Sequence, residues 1–355
     1  MHLRVVLRSP GGETLTRDTR DGLWAESDGD PDHEIGAGLF ALPGLIDAHA
    51  HLAKETMDFG PGDPVGTAHR ARQALEAGVG LVLDKGWSDL TVVDAIDELD
   101  PMDRPEIEAA GVIVAVDGGF WDGFAREIGP GEIVTAVNDA AAEGRGWVKL
   151  IGDWPRKGVG PVANFSEGEL RAAVRVAAGL GSRVAVHTMA REVPSMAVSA
   201  GVHSIEHGLF LSGEDLAALG ARGGIWVPTV VQVEAVIVQI GADSSGGRLL
   251  REGLANIGAN LALAVEAGVH VLTGTDLAIG SHHVAMEAIR LWEMGMDGAA
   301  VVDSASSAGF RATGRPSAFG VGDPANAIFF AEDPVLDPRV LAHPEHVIRL
   351  GRIVR

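Results

Sequence analysis

The chain has no cysteine and no tyrosine among its 355 residues, and its 28 Lys and Arg are outnumbered by 49 Asp and Glu, a formal net charge of −21. Without cysteine there are neither disulfides nor thiolate metal sites. With no basic run anywhere, a nucleic-acid or anionic-membrane partner would be repelled. No stretch of about 20 uninterrupted apolar residues is present to span a bilayer. The start, Met1-His2-Leu3-Arg4-Val5-Val6-Leu7-Arg8, lacks the apolar core of a secretion signal. A cytoplasmic location is therefore expected. Internal repeats, low-complexity runs, phosphate-binding glycine loops and serine-nucleophile motifs are also missing.

What the chain does contain is an apolar content of 46% and 48 glycines. That suits a large core and many tight turns between strands and helices. Its most informative stretch is Leu42-Pro43-Gly44-Leu45-Ile46-Asp47-Ala48-His49-Ala50-His51. Residues two apart on a strand point the same way, so both imidazoles project to one side, a two-toothed metal clamp.

Four later segments repeat the design, each an apolar run ending in a group able to bind metal. They are Trp147-Val148-Lys149, Val184-Ala185-Val186-His187, Ile205-Glu206-His207 and Val271-Leu272-Thr273-Gly274-Thr275-Asp276. Between them lie segments with helical spacing, such as Ser166 to Gly179 and Arg251 to Gly268. Further strands are expected at Val79 to Asp84, Gly111 to Val116 and Gly224 to Val227, bringing the count to eight. Alternating strands and helices predict an α/β fold with a parallel sheet. Closed into a (β/α)8 TIM barrel, the sheet would bring the ends of all strands to one face.

On these residues the chain resembles the amidohydrolase superfamily of metal-dependent hydrolases. The matching positions are Pro43 to His51, Lys149, His187, Ser204-Ile205-Glu206-His207-Gly208 and Gly274-Thr275-Asp276, in order along nearly the whole chain. The resemblance is greatest to the binuclear branch with a carboxylated lysine, which includes prolidase-like dipeptidases and phosphotriesterases. It implies two divalent ions, most simply zinc. One would be held by His49, His51, Lys149 and Asp276, the other by Lys149, His187 and His207. It also implies a small β-sandwich built from both termini, residues 1–42 and 318–355, beside a barrel of residues 43–317.

Lys149 decides between one metal and two. A protonated lysine about 4 Å from a dication would be repelled by roughly 8 kcal/mol at an effective dielectric of about 20. It is then either neutral and idle or, as the resemblance implies, a carbamate formed with carbon dioxide. The competing reading is a lysine paired with a carboxylate such as Asp153, which would leave one metal. In the binuclear reading a bridging water loses its proton near neutral pH and attacks the substrate carbonyl, with Asp276 as the acid–base shuttle. The expected activity is hydrolysis of an amide bond, as in a dipeptide or N-acyl amino acid. The alternatives are a two-metal esterase, lactonase or phosphotriesterase, a one-metal cyclic amidase or deaminase of the imidazolonepropionase type, and a non-catalytic scaffold.

The partner expected is a small-molecule substrate, contacted by His283 in the eighth loop and by Trp87 and Trp154. With Phe120 and Trp121, these tryptophans would gather aromatic surface on one side of the mouth. Lys85, Arg156 and Lys157 could receive a substrate carboxylate. The absence of tyrosine departs from relatives that steady the carbonyl oxygen with a phenol hydroxyl, and leaves that task to a metal, a histidine or a backbone amide. His203 and His270 are expected in hydrogen-bonded core roles, and His343 and His346 at the surface. The segment from Gly241 to Gly247 looks flexible enough to serve as a lid. The apolar run from Val230 to Ile240 would form a helix that lines the pocket or joins two subunits of a homo-oligomer.

Overall fold

The computed structural model describes residues 2–12, 14–54, 60–276 and 283–355 of a mixed α/β protein. Two parallel sheets form its centre. One contains Leu45–Ala50, Val79–Asp84 and Glu106–Ala109. The other runs in the order Arg126–Ile128, Val114–Val116, Trp147–Ile151, Arg183–Thr188, Ser204–His207, Ile225–Val227 and His270–Val271. These strands are short apolar runs because helices cover them, so both faces of most are buried.

Hydrogen bonds join the two sheets at both seams. Ala109 and Arg145 exchange backbone bonds of 3.1 and 2.7 Å, and Ala48 N–H donates to the Thr273 carbonyl at 2.8 Å. Gly274 lets the second seam close. A Cβ there would lie 2.7 Å from the Cβ of His49 and 2.6 Å from Val227, closer than side chains pack.

The third strand begins five residues earlier than expected, at Glu106 rather than Gly111. Gly111 is instead a kink with φ of +69°, between a part that pairs with Val79–Asp84 and a part, Val114–Val116, that pairs with Trp147–Ile151. The early part was hidden by its charges. Glu106 and Glu108 break the apolar pattern because they meet cations at the far end of the sheets. Glu108 lies 2.5 Å from Trp147 Nε1, 2.7 Å from Arg315 and 3.3 Å from Arg183, while Glu106 lies 2.6 Å from Arg315. Removing Glu108 leaves the Trp147 N–H and the Arg183 guanidinium without this acceptor, while Arg315 keeps Glu106, and the part-exposure of the arginines reduces the cost further. Glu108→Ala should destabilise the protein by about 2 kcal/mol, read as a lower urea midpoint with an unchanged slope.

Helices follow local signals. Glu167–Gly179 starts at a reciprocal cap in which Ser166 and Glu169 each satisfy the other's backbone N–H. The segment from Gly241 to Gly247 is only in part the loop expected. Ser244 caps a helix that runs Ser245–Glu266, accepting from Gly247 N–H at 2.9 Å, so the last three of the seven residues are that helix's first turn. The preceding run does form a helix, Val230–Ile240, with Val238 83% exposed near its outer end. No helix among the described residues is long and apolar enough to cross a membrane.

Both ends of the chain meet in one sheet of eight strands. Its order is Arg352–Ile353, His346–Arg349, Ala327–Phe330, Phe40–Leu42, Leu3–Arg8, Thr14–Arg20 and Leu23–Ala25, with His33–Ile35 paired to Leu3–Arg8. Leu3, Val5, Leu7, Trp24 and Phe329 fill its core.

Candidate metal centre

Five parallel strands converge on one buried space, four through their C-terminal ends and Trp147–Ile151 through its middle residue, Lys149, which was expected to end its run. His49 and His51 come from the first, where a register shift between Asp47 and Ala50 turns the chain. Lys149, His187 and His207 come from Trp147–Ile151, Arg183–Thr188 and Ser204–His207, and Asp276 follows His270–Val271. Asp276 is held there by its own N–H, donated to the His49 carbonyl at 2.8 Å. Its neighbour Thr275 is tied to Asp47, which accepts the Thr275 hydroxyl at 2.7 Å and N–H at 3.1 Å. Burial pushes the Asp47 carboxyl up to about 7 against the pull of those bonds.

His49, His51 and Asp276 each offer a ligand atom, all within 4.8 Å of one another. The Nε2 atoms of both histidines lie 3.3 Å from the same oxygen, Asp276 Oδ1. Their outer nitrogens are engaged elsewhere. His51 Nδ1 sits 2.7 Å from the Gly86 carbonyl, which can only accept, so that nitrogen carries the proton and Nε2 presents a lone pair. His49 Nδ1 lies 2.7 Å from Glu206 Oε2, near enough for a charge contact though not aligned as a hydrogen bond. Lone pairs and a carboxylate oxygen aimed at one point repel unless a cation lies among them. This donor set fits a divalent metal.

A second cluster adjoins it. His207 Nδ1 donates to Thr229 Oγ1 at 2.6 Å, and Thr229 passes its own hydroxyl proton to the Pro228 carbonyl at 2.9 Å. That leaves His207 Nε2 facing His187 Nδ1 at 2.9 Å, and Asp276 Oδ2 lies 3.8 Å from His207 Nδ1. Lys149 Nζ is 3.4 Å from His49 Nε2. Burial holds His187 down at about 3 and keeps His49 and His207 well below the ordinary imidazole range. Imidazoles that stay neutral keep lone pairs available to a metal. Burial also lowers the Lys149 amine to about 8, against the pull of Glu206 and Asp276. Asp153 is not the partner of Lys149, because its carboxylate accepts the Met189 N–H, 3.1 Å from each oxygen.

Three residues at this centre have left-handed backbones without being glycine: His207 at φ +61°, Thr229 at +47° and Asp276 at +43°. Such conformations cost roughly 1–3 kcal/mol each and persist where the surroundings enforce them.

The loop residues fall differently. Trp154 packs against Trp121 and Phe120, with ring centroids 4.6 and 4.7 Å away, and lies 5.9 Å from His187. Trp121 is 37% exposed. Trp87, expected at the mouth, is instead buried behind His51, edge-on to Phe124, with its N–H on the Gly60 carbonyl at 2.9 Å. Lys85, expected to meet substrate, is wholly buried because its side chain turns inward to Glu206. Arg156 reaches Asn164 at 3.0 Å and Lys157 is exposed on the turn beyond it. His283 is exposed, and its neighbour His282 lies outside the described residues. His203 does accept the Val184 N–H at 3.1 Å, but it is only half-buried rather than in the core as expected.

Sequence reasoning missed Thr229, Asp47 and the part played by Glu206. Glu206 lay in view inside the Ser204–Gly208 motif. Thr229 could have been found by asking what stands at the end of the seventh strand, where no ligand was expected.

Residues 40–354 match the sequence model of the Amidohydrolase family. An uncharacterized protein of Mycobacterium tuberculosis is 33% identical over 325 residues, 89% of this chain and 85% of that protein. Among solved structures, a Xaa-Pro dipeptidase with methionine bound in its active site superposes with a TM-score of 0.82 at 23% identity, covering 100% of both chains. The A. niger ochratoxinase superposes with a TM-score of 0.81 at 19% identity, covering 100% of this chain and 95% of that one. At such identities these two structures speak for the fold alone.

Proposed function

Because the chain belongs to the amidohydrolase family, and a Xaa-Pro dipeptidase, a hydrolase of a carbon–nitrogen bond, shares its fold, we propose that it cleaves the amide of a dipeptide or N-acyl amino acid at a two-metal centre. The observation that carries this reading is the aim of His49 Nε2 and His51 Nε2 at one Asp276 oxygen, with the second pair, His187 and His207, beside them. His49, His51, Asp276 and a carboxylated Lys149 would hold one ion, and Lys149, His187 and His207 the other, with zinc the simplest choice. The two parallel sheets are taken as one eight-stranded barrel, with strand ends at the rim where such barrels carry their sites. Residues 1–42 and 318–355, whose strands pair in one sheet, are then taken as a small β-sandwich domain beside the 43–317 barrel.

When bound, the metal would polarise the scissile carbonyl and make water acidic enough to attack at neutral pH. Asp276 accepts the proton of that water and delivers it to the leaving nitrogen. His51 and His207 are fixed in one tautomer by Gly86 and Thr229, so no proton competes for their inward nitrogens.

Trp154, Trp121 and Phe120 form an apolar wall beside His187, which favours substrates with an aromatic group next to the amide. Burying such a group contributes about 2 kcal/mol, or roughly thirtyfold in kcat/KM. N-benzoylglycine or N-acetylphenylalanine should be hydrolysed that much faster than N-acetylglycine, and Trp154→Ala should erase the difference. Equal rates for all three would remove the wall from substrate binding. The reading as a whole is tested by metal analysis together with a panel of amides, lactones and phosphotriesters. About two ions per chain and turnover of amides support it. One ion per chain, or turnover confined to esters, overturns it.

A further inference from the structure

Lys85 is unused by the chemistry above, yet it is one of the most deeply buried charges in the protein, with none of its surface exposed. It ends the inward row Leu81, Leu83, Lys85 of the second strand, in which the two leucines pack with Trp147, Ala185 and Leu272. Its neighbours face other tasks. Asp84 accepts the N–H groups of Leu52 at 2.6 Å and Gly86 at 2.8 Å, and the Gly86 carbonyl takes the His51 ring.

Lys85 Nζ lies 4.3 Å from the centre of the Trp147 ring and 3.4 Å from Glu206 Oε1. Glu206 is equally buried. Its Oε1 accepts the Ser204 hydroxyl at 2.6 Å, and its Oε2 faces His49 Nδ1 at 2.7 Å. A carboxylate buried from solvent is costly unless charge and hydrogen bonds compensate it. Ser204 supplies one bond, and Lys85 is the cation in contact with it, spread over the face of an indole that favours positive charge.

We propose that Lys85 is a positioning residue for the metal centre, holding the Glu206 carboxylate against His49 Nδ1 so that His49 Nε2 keeps its lone pair on the cation. The inference rests on the reading of His49 as a metal ligand. Partners behind a ligating histidine set its ring orientation and basicity, and losing one weakens metal binding by about 10–100-fold.

The test measures zinc affinity of the metal-stripped full-length protein by competition with a chromogenic chelator. Lys85→Met, which keeps the length and removes the charge, should weaken zinc binding by at least about tenfold, while far-ultraviolet circular dichroism of the metal-free protein remains that of the wild type. Glu206→Gln should weaken it similarly. The double variant should be no weaker than the weaker single, because both act through one contact. Zinc affinity within twofold of wild type in folded Lys85→Met, or penalties that simply add in the double variant, would overturn the proposal. If Lys85→Met fails to fold, Lys85→Gln carries the same comparison. Wild-type protein that binds no zinc at all would instead sink the metal-centre reading, and this inference with it.

Discussion

Asp276→Asn is expected to retain its metal and lose about a thousandfold or more in kcat, the span of a lost acid–base group. The substitution isolates the chemistry cleanly. Asparagine keeps an oxygen where Asp276 Oδ1 meets His49 and His51, so the ligand position survives as a neutral donor. It also tolerates the left-handed backbone at φ +43° as well as aspartate does. What asparagine cannot do is take a proton from the attacking water. Metal analysis and steady-state kinetics on the same preparation decide the matter. A variant within tenfold of the wild-type kcat would exclude Asp276 as the shuttle.

Lys149→Ala should have an effect of similar size for a different reason. If a carbamate on Lys149 joins two ions, the alanine variant loses the shared ligand, its metal content falls towards one ion per chain, and activity drops by about a thousandfold. A small carboxylate such as acetate or propionate, diffusing into the space left by the side chain, should restore part of it. The Lys149 amine at about 8 adds a pH signature. Only the free amine combines with carbon dioxide, and releases a proton as it does. At pH 8.5 most of the amine is free, whereas at pH 6.5 roughly a few per cent is. Reactivation of the metal-stripped wild type with zinc and bicarbonate, with dissolved carbon dioxide held at the same concentration, should therefore be faster at the higher pH. Reactivation that ignores bicarbonate, with full activity in Lys149→Ala, would remove the carbamate from the mechanism.

The cluster was legible in the sequence because most of its residues sit at or just past strand ends, where an apolar run halts at His51, His187, His207 or Asp276; Lys149 instead interrupts its apolar run, as the middle residue of Trp147–Ile151. The pattern that announces a strand also says which residue stands at its rim. Interior charges carry no such mark. Glu106 and Glu108 look like surface residues, so the start of the third strand was lost. Lys85 looks like a substrate contact until Glu206 and Trp147, far away in sequence, are seen to face it. The segment from Gly241 to Gly247 misled in the other direction. Gly and Ser are what flexible loops contain, but Ser244 is also a good helix cap, and the 22 residues after it supply enough packing to order the glycines. Trp87 shows the same limit, since an aromatic residue after a strand can face the mouth or brace a ligand from behind.

The left-handed backbone of Asp276 puts heat tolerance and turnover in opposition. A laboratory selection that rewards survival at high temperature alone would find glycine there, relieving about 1 kcal/mol of strain, whereas at the buried His207 and Thr229 lost packing and hydrogen bonds outweigh the relief. Its winners would melt later and do nothing.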